Sequence, residues 1–114
     1  MNEKPPVIPI NFRLTASAAS EISTLTQEGS REEGDVLIPV IGWAEEYEES
    51  ERRLVERGIY LGWFKESEVP IEQIQSVDGV RLIFSVWPKR AHKFEGRSIN
   101  FSNGRFDFAE KSRD

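Results

Sequence analysis

The chain has 114 residues, 20 acidic against 15 basic side chains for a formal net charge of −5, and no cysteine. That length suits a single domain, expected over 7–109, with a flexible start at 1–6 and a short tail at 110–114. A hydrophobic fraction of 38% supports a modest core, and the missing cysteines exclude disulfides, thiolate nucleophiles, cysteine-bound zinc and thiolate-held iron–sulfur clusters. No run approaches the roughly 18 apolar residues of a membrane span, and the start lacks a signal peptide's apolar stretch, so a cytoplasmic protein with no membrane contact is expected.

Met1 to Pro6 is polar and ends in Pro5-Pro6, which favours an extended, polyproline-like backbone. From Val7 to Leu14 the pattern alternates, with Ile8, Ile10, Phe12 and Leu14 on one face. Pro9 cannot donate to a ladder, so this segment is expected as an edge strand. Thr15 suits an N-cap for a helix through about Gln27, where Ala18, Ile22 and Leu25 form a narrow apolar stripe and Gly29-Ser30 ends it.

Val36 to Trp43, apolar on both faces apart from Pro39 and Gly42, predicts a buried strand with an irregularity. From Glu45 to Arg57 the closely spaced glutamates repel one another, which predicts a mobile acidic loop or a short helix ending at Gly58. Ile59 to Phe64 predicts a further strand. Val69 to Ile74 suits one helical turn, with Pro70 at its first position.

Two hairpins close the chain. Asp78-Gly79 places Val77 opposite Val80 and puts Val77, Val80, Leu82, Phe84 and Val86 on one face. Trp87-Pro88 then ends that strand, and Lys89 to Gly96 is a basic connection. Asn103-Gly104 sets Phe101 opposite Phe106 and Ile99 opposite Phe108. The sum is a single small α+β domain with a mostly antiparallel or mixed sheet of about six strands and one principal helix.

Charge is unevenly placed along the chain. Glu21 to Glu51 holds ten acids and one base, for −9, while Arg81 to Arg105 holds six bases and one acid, for +5. If folding keeps the poles apart, they would steer partners or support head-to-tail self-association over a Debye length of about 8–10 Å.

The inventory for catalysis is thin. His92 is the one histidine and sits in the most basic stretch, so no two-histidine metal site exists and no cofactor is expected. Neither a phosphate-cradling glycine motif nor a nucleophile elbow occurs. Glu45 and Glu46 beside Trp43 are the one acid–base pair to weigh, because an aromatic neighbour can raise a carboxyl pKa. Lys89, Arg90, Lys93 and Arg97 with Trp87 and Phe94 have the ingredients of a nucleic-acid platform, yet the dense acids elsewhere oppose a polyanion. Trp43, Trp63 and Trp87 each lie near a turn or irregularity and could serve either the core or a binding patch.

Two parts of the chain resemble the A-type iron–sulfur carrier (HesB-like) family. Ile10-Asn11-Phe12-Arg13-Leu14-Thr15-Ala16-Ser17-Ala18-Ala19-Ser20-Glu21-Ile22 is similar to its opening strand and Thr-capped helix. Val77-Asp78-Gly79-Val80-Arg81-Leu82-Ile83-Phe84 resembles its hairpin, Phe94-Glu95-Gly96-Arg97-Ser98-Ile99-Asn100-Phe101 its later strand, and Gly104-Arg105-Phe106-Asp107-Phe108 its close. The resemblance implies a HesB-like fold. It also implies three ligand cysteines, but the corresponding regions here read Ile41-Gly42-Trp43-Ala44 and Ser102-Asn103-Gly104-Arg105, so cluster binding does not carry over.

The expectation is a non-catalytic interaction protein that binds a protein partner or itself. Its candidate residues are Trp43, Glu45, Glu46 and Tyr47 on the acidic side, Lys89, Arg90 and Lys93 on the basic side, and Trp63 and Trp87. The alternatives are an acidic inhibitor or immunity-type protein that uses the glutamate run, and a small enzyme with Glu45 or Glu46 as base.

Overall fold

Two faces of one strand organise the molecule, and both are apolar. The computed structural model describes residues 7–48 and 53–109, without the side chains of 45–48 and 53–57. Its elements are β1 (Arg13–Leu14), α1 (Ala16–Glu33), β2 (Leu37–Glu48), β3 (Arg53–Lys65), β4 (Ile74–Val77), β5 (Val80–Ser85), β6 (Ser98–Ser102) and β7 (Arg105–Phe108), with 3₁₀ turns at Glu66–Glu68, Ile71–Gln73 and Pro88–Lys93. They form an α+β domain with a three-stranded sheet, β1-β6-β7, and a four-stranded sheet, β3-β2-β5-β4. Both sheets are mixed, because β1 runs parallel to β6 and β2 runs parallel to β5. No helix among the described residues is long and apolar enough to cross a membrane.

β2 carries Ile41 into the main core, with Ala18 and Ile22 of α1, Leu82 and Phe84 of β5, Ile99 of β6 and the fully buried Phe94. Its other face carries Ile38 and Val40, which pack with Ile83 and with the partly buried Val69 and Ile74. This is the buried strand the apolar run predicts.

The first segment alternates as expected, since Phe12 and Leu14 are buried while Val7, Pro9 and Arg13 are exposed. Only Arg13–Leu14 forms a ladder, however. Before it the Gln75 side chain takes the place of a neighbouring strand. It accepts from the Ile10 N–H at 3.0 Å and donates to the Ile8 carbonyl at 2.8 Å. A side chain that both donates and accepts can satisfy a segment interrupted by proline.

Thr15 caps α1 as predicted, its hydroxyl accepting from the Ala18 N–H at 3.3 Å. The helix does not stop at Gly29-Ser30. It runs to a left-handed cap at Gly34, φ 72°. Gly29 has a different task, because a Cβ there would lie 3.0 Å from Leu37 Cδ1, and Ser30 accepts the Leu37 N–H through its hydroxyl at 3.0 Å. Both residues draw the helix close to the start of β2.

The acidic loop or short helix expected over Glu45 to Arg57 is corrected at 45–48 and 53–57, which are strand, while 49–52 lie outside the described residues. β2 and β3 form one long antiparallel pair, in which Gly58 stands opposite Ala44 within the ladder. The register sets Glu45 opposite Arg57 and Glu48 opposite Arg53. Opposite charges across a ladder are favourable, and this placement across the ladder is invisible when glutamates are counted along the chain. The like-charged Glu46 and Glu56 oppose each other beside a register shift at Glu46/Tyr47. Pro70 precedes its short 3₁₀ turn instead of opening it, and the basic connection from Pro88 is a 3₁₀ segment.

Both closing hairpins match their turn chemistry. Asp78 and Gly79 have φ of 48° and 82°, Asn103 and Gly104 have φ of 52° and 77°, and Val77 faces Val80 as Phe101 faces Phe106. Asp78 also fastens the first segment. It accepts from the Leu14 N–H at 2.8 Å and from Arg13 Nε at 3.0 Å. The Arg13 guanidinium, followed by the Leu14 amide, holds its carboxyl at about 2, below the usual carboxylate range.

Candidate functional site

Trp43 lies midway along β2, at the end of the domain where the 3₁₀ turn Pro88–Lys93 and β7 come near it. Phe94 is the hub. Its ring meets Phe84 at 5.0 Å, Phe12 and Phe108 at 5.4 Å and Trp43 at 6.0 Å. Trp43 and Phe108 stack on each other with centroids 6.2 Å apart and 18° between planes. Hairpin pairing of β6 with β7 puts Phe108 opposite the buried Ile99, which fixes its ring on this side of the sheet.

Two cations stand over this aromatic pair. Lys93 Nζ lies 5.0 Å from the Trp43 ring centroid, and the Arg97 guanidinium carbon lies 3.8 Å from that of Phe108. Both distances are within the roughly 6 Å at which a ring's quadrupole attracts a cation. A cleft of about 280 Å³ opens there, lined by Trp43, Lys93, Arg97, Phe108 and Asp107 together with Gly58 and Ile59 of β3. A second cleft of about 320 Å³ opens on another side of Trp43, against Ser85, Val86, Trp87 and Arg90. Trp87 is 76% exposed, so its indole forms an outer wall with most of its surface in water. The named linings contain three cations and one carboxylate, so the cleft walls carry more cations than carboxylates in a chain of net charge −5.

The predicted basic candidates therefore divide. Lys93 and Arg90 line the clefts, whereas Lys89 is exposed on the same 3₁₀ segment and lines neither. Trp43 and Trp87 share a cleft. Trp63 is not part of this end. It stands opposite Pro39, about 13 Å along the strands from the Trp43–Ile59 pair, and its Nε1 donates to Thr26 Oγ1 at 2.9 Å, joining β3 to α1. Glu45, Glu46 and Tyr47 continue β2 beyond Trp43, and their side chains lie outside the described part of the structure.

Phe108 completes the site with Arg97, which the sequence offers only as part of the basic stretch; the Trp43–Phe108 stack joins positions remote in sequence. The clefts present cationic N–H donors above aromatic faces, a surface suited to holding carboxylates. Among the described residues no group of three or more His, Cys, Asp or Glu side chains is placed to hold a metal, and His92 is exposed. No protein-family model, curated protein or solved structure matches the chain.

Proposed function

We propose that this chain is a non-catalytic cytoplasmic interaction domain that receives an acidic segment of a partner protein at its Trp43 end. The observation that carries the reading is the placement of Lys93 and Arg97 over the stacked rings of Trp43 and Phe108. Aromatic anchors ringed by cations supply both halves of such an interface, area from the rings and steering from the charges. The exposed Trp87 beside Arg90 extends it. A HesB-like scaffold without cluster ligands is part of the proposal, supported by the β1 and Thr15-capped α1 sequence followed by two glycine-turn hairpins. The cytoplasmic setting rests on composition.

The inhibitor alternative draws less support. The register sets Arg57 and Arg53 opposite two of its glutamates, which lowers the net acidity of that arm. The test is affinity capture from native lysate at low and moderate salt, with wild type against a Lys93→Glu/Arg97→Glu variant. An acidic partner held by wild type, released by salt and lost with the variant supports the reading. Equal retention by both proteins sinks it.

A further inference from the structure

β3 is an edge strand of the four-stranded sheet. Among the described residues, the backbone of 58–65 makes its ladder with β2 alone. An unpaired edge presents a row of N–H and C=O groups to any strand that fits, and proteins usually blunt it with proline, charge or a bulge. Those guards are missing from 58–65. The sequence Gly-Ile-Tyr-Leu-Gly-Trp-Phe-Lys contains no proline. The ladder's register shift lies away at Glu46/Tyr47. The single charge, Lys65, sits at the end and reaches Asp35 at 3.6 Å. Tyr60 and Phe64 are 52% and 55% exposed on the outer face of the sheet. Tyr60 lies along its own strand, its hydroxyl 2.6 Å from where a Cβ on Gly62 would stand, and so offers a flat ring beside the edge.

We propose that a second copy of this chain pairs along β3, antiparallel and about a two-fold axis at Tyr60, to give a continuous eight-stranded sheet. The symmetry is the ordinary one for a self-complementary edge. An axis perpendicular to the sheet opposes residues of the same face, so α1 of both copies falls on one side and Tyr60 and Phe64 of both fall on the other. Charge selects the register. An axis at Leu61 would oppose Arg57 to Lys65, and one at Ile59 would oppose Arg53 to Lys65. The axis at Tyr60 opposes no like charges and sets Ile59 against Leu61, Gly58 against Gly62 and Tyr60 against itself. This pairing does not rest on the acidic-partner reading, although Gly58 and Ile59 also line the first Trp43 cleft.

The absence of cysteine makes the test direct. Sedimentation of the full chain up to about 0.5 mM should show a dimer. Tyr60→Lys places two ammonium groups opposite each other at the axis, and should weaken the dimer about tenfold or more while circular dichroism reports an unchanged fold. With dissolved oxygen and a copper catalyst as oxidant, Tyr60→Cys should cross-link the dimer, because directly opposed Cβ atoms at about 4.5–5.5 Å need only a small approach to the roughly 3.5–4.5 Å of a disulfide, while Thr24→Cys on α1 should not. A chain that stays monomeric, or that pairs only with a foreign strand, overturns the proposal. So does a dimer in which Tyr60→Cys cross-links no faster than Thr24→Cys.

Discussion

Asp78 accepts the backbone N–H of Leu14 at 2.8 Å, so the tip of one hairpin holds the start of the chain to the sheet. The same carboxylate takes the Arg13 guanidinium, and the two bonds keep its pKa at about 2 in the fold. A depressed folded pKa contributes stability above the unfolded value near 3.8, and that contribution is lost as pH falls through the folded value. Asp78→Asn keeps a carbonyl acceptor for Leu14 and tolerates the positive φ of 48°. Wild type is therefore expected to melt above Asp78→Asn at neutral pH, with the gap closing between about pH 4 and pH 2. Thermal melts of both proteins across that window check it, and a constant gap would refute the assignment.

Phe94 has no exposed surface and touches four other rings, from the first segment, β2, β5 and β7. Removing it leaves a cavity where these elements meet. Phe94→Ala should cost about 3–5 kcal/mol, a large share of the roughly 5–15 kcal/mol that holds a domain together. Phe94→Leu keeps most of the volume and should cost less than half as much. Urea titrations followed by tryptophan emission measure both, since Trp43 packs edge-on against this ring.

Parts of the architecture could be read directly from short stretches of sequence. Asp78-Gly79 and Asn103-Gly104 specify their hairpins through residues that accept positive φ, and Thr15 specifies its cap through one hydroxyl. Where neighbours in space are distant in sequence, local reasoning fails. Gly29 looks like a helix stop but serves close packing on Leu37. The glutamates after Trp43 look mutually repulsive until Arg57 and Arg53 stand across the ladder. The candidate site is half legible, because Trp43, Arg90 and Lys93 carry obvious chemistry. Phe108 becomes its floor only once β7 folds back beside β6.

Gly42 and Gly58 both lie in the β2–β3 pair, yet only one of them is confined. A Cβ on Gly42 would come 2.7 Å from the Ser85 carbonyl oxygen of β5, whereas one on Gly58 meets nothing within 4 Å. Gly42 thus leaves room for the Ser85 backbone of β5, beside the Trp43 clefts. Gly42→Ala should destabilise by about 1–3 kcal/mol because backbone must shift. Gly58→Ala should stay within about 0.5 kcal/mol of wild type. Equal costs in paired denaturation curves would show that the β2–β5 contact is looser than this geometry.

Trp87 separates binding from folding more cleanly than Trp43 does. Trp43 stacks on Phe108 and meets Phe94, so its loss would damage the core as well as the clefts. Trp87 is 76% exposed and lines the second cleft with Arg90. An aromatic anchor at an interface contributes about 2 kcal/mol or more, close to thirtyfold in affinity. Trp87→Ala should therefore leave the melting temperature within a degree or two while weakening capture of the acidic partner by about tenfold or more. Trp87→Phe should recover much of that loss, because it keeps a ring on the cleft wall for the proposed partner to meet. If Trp87→Ala binds as wild type does, the second cleft is not part of the interface and only the Lys93–Arg97 side remains to carry it.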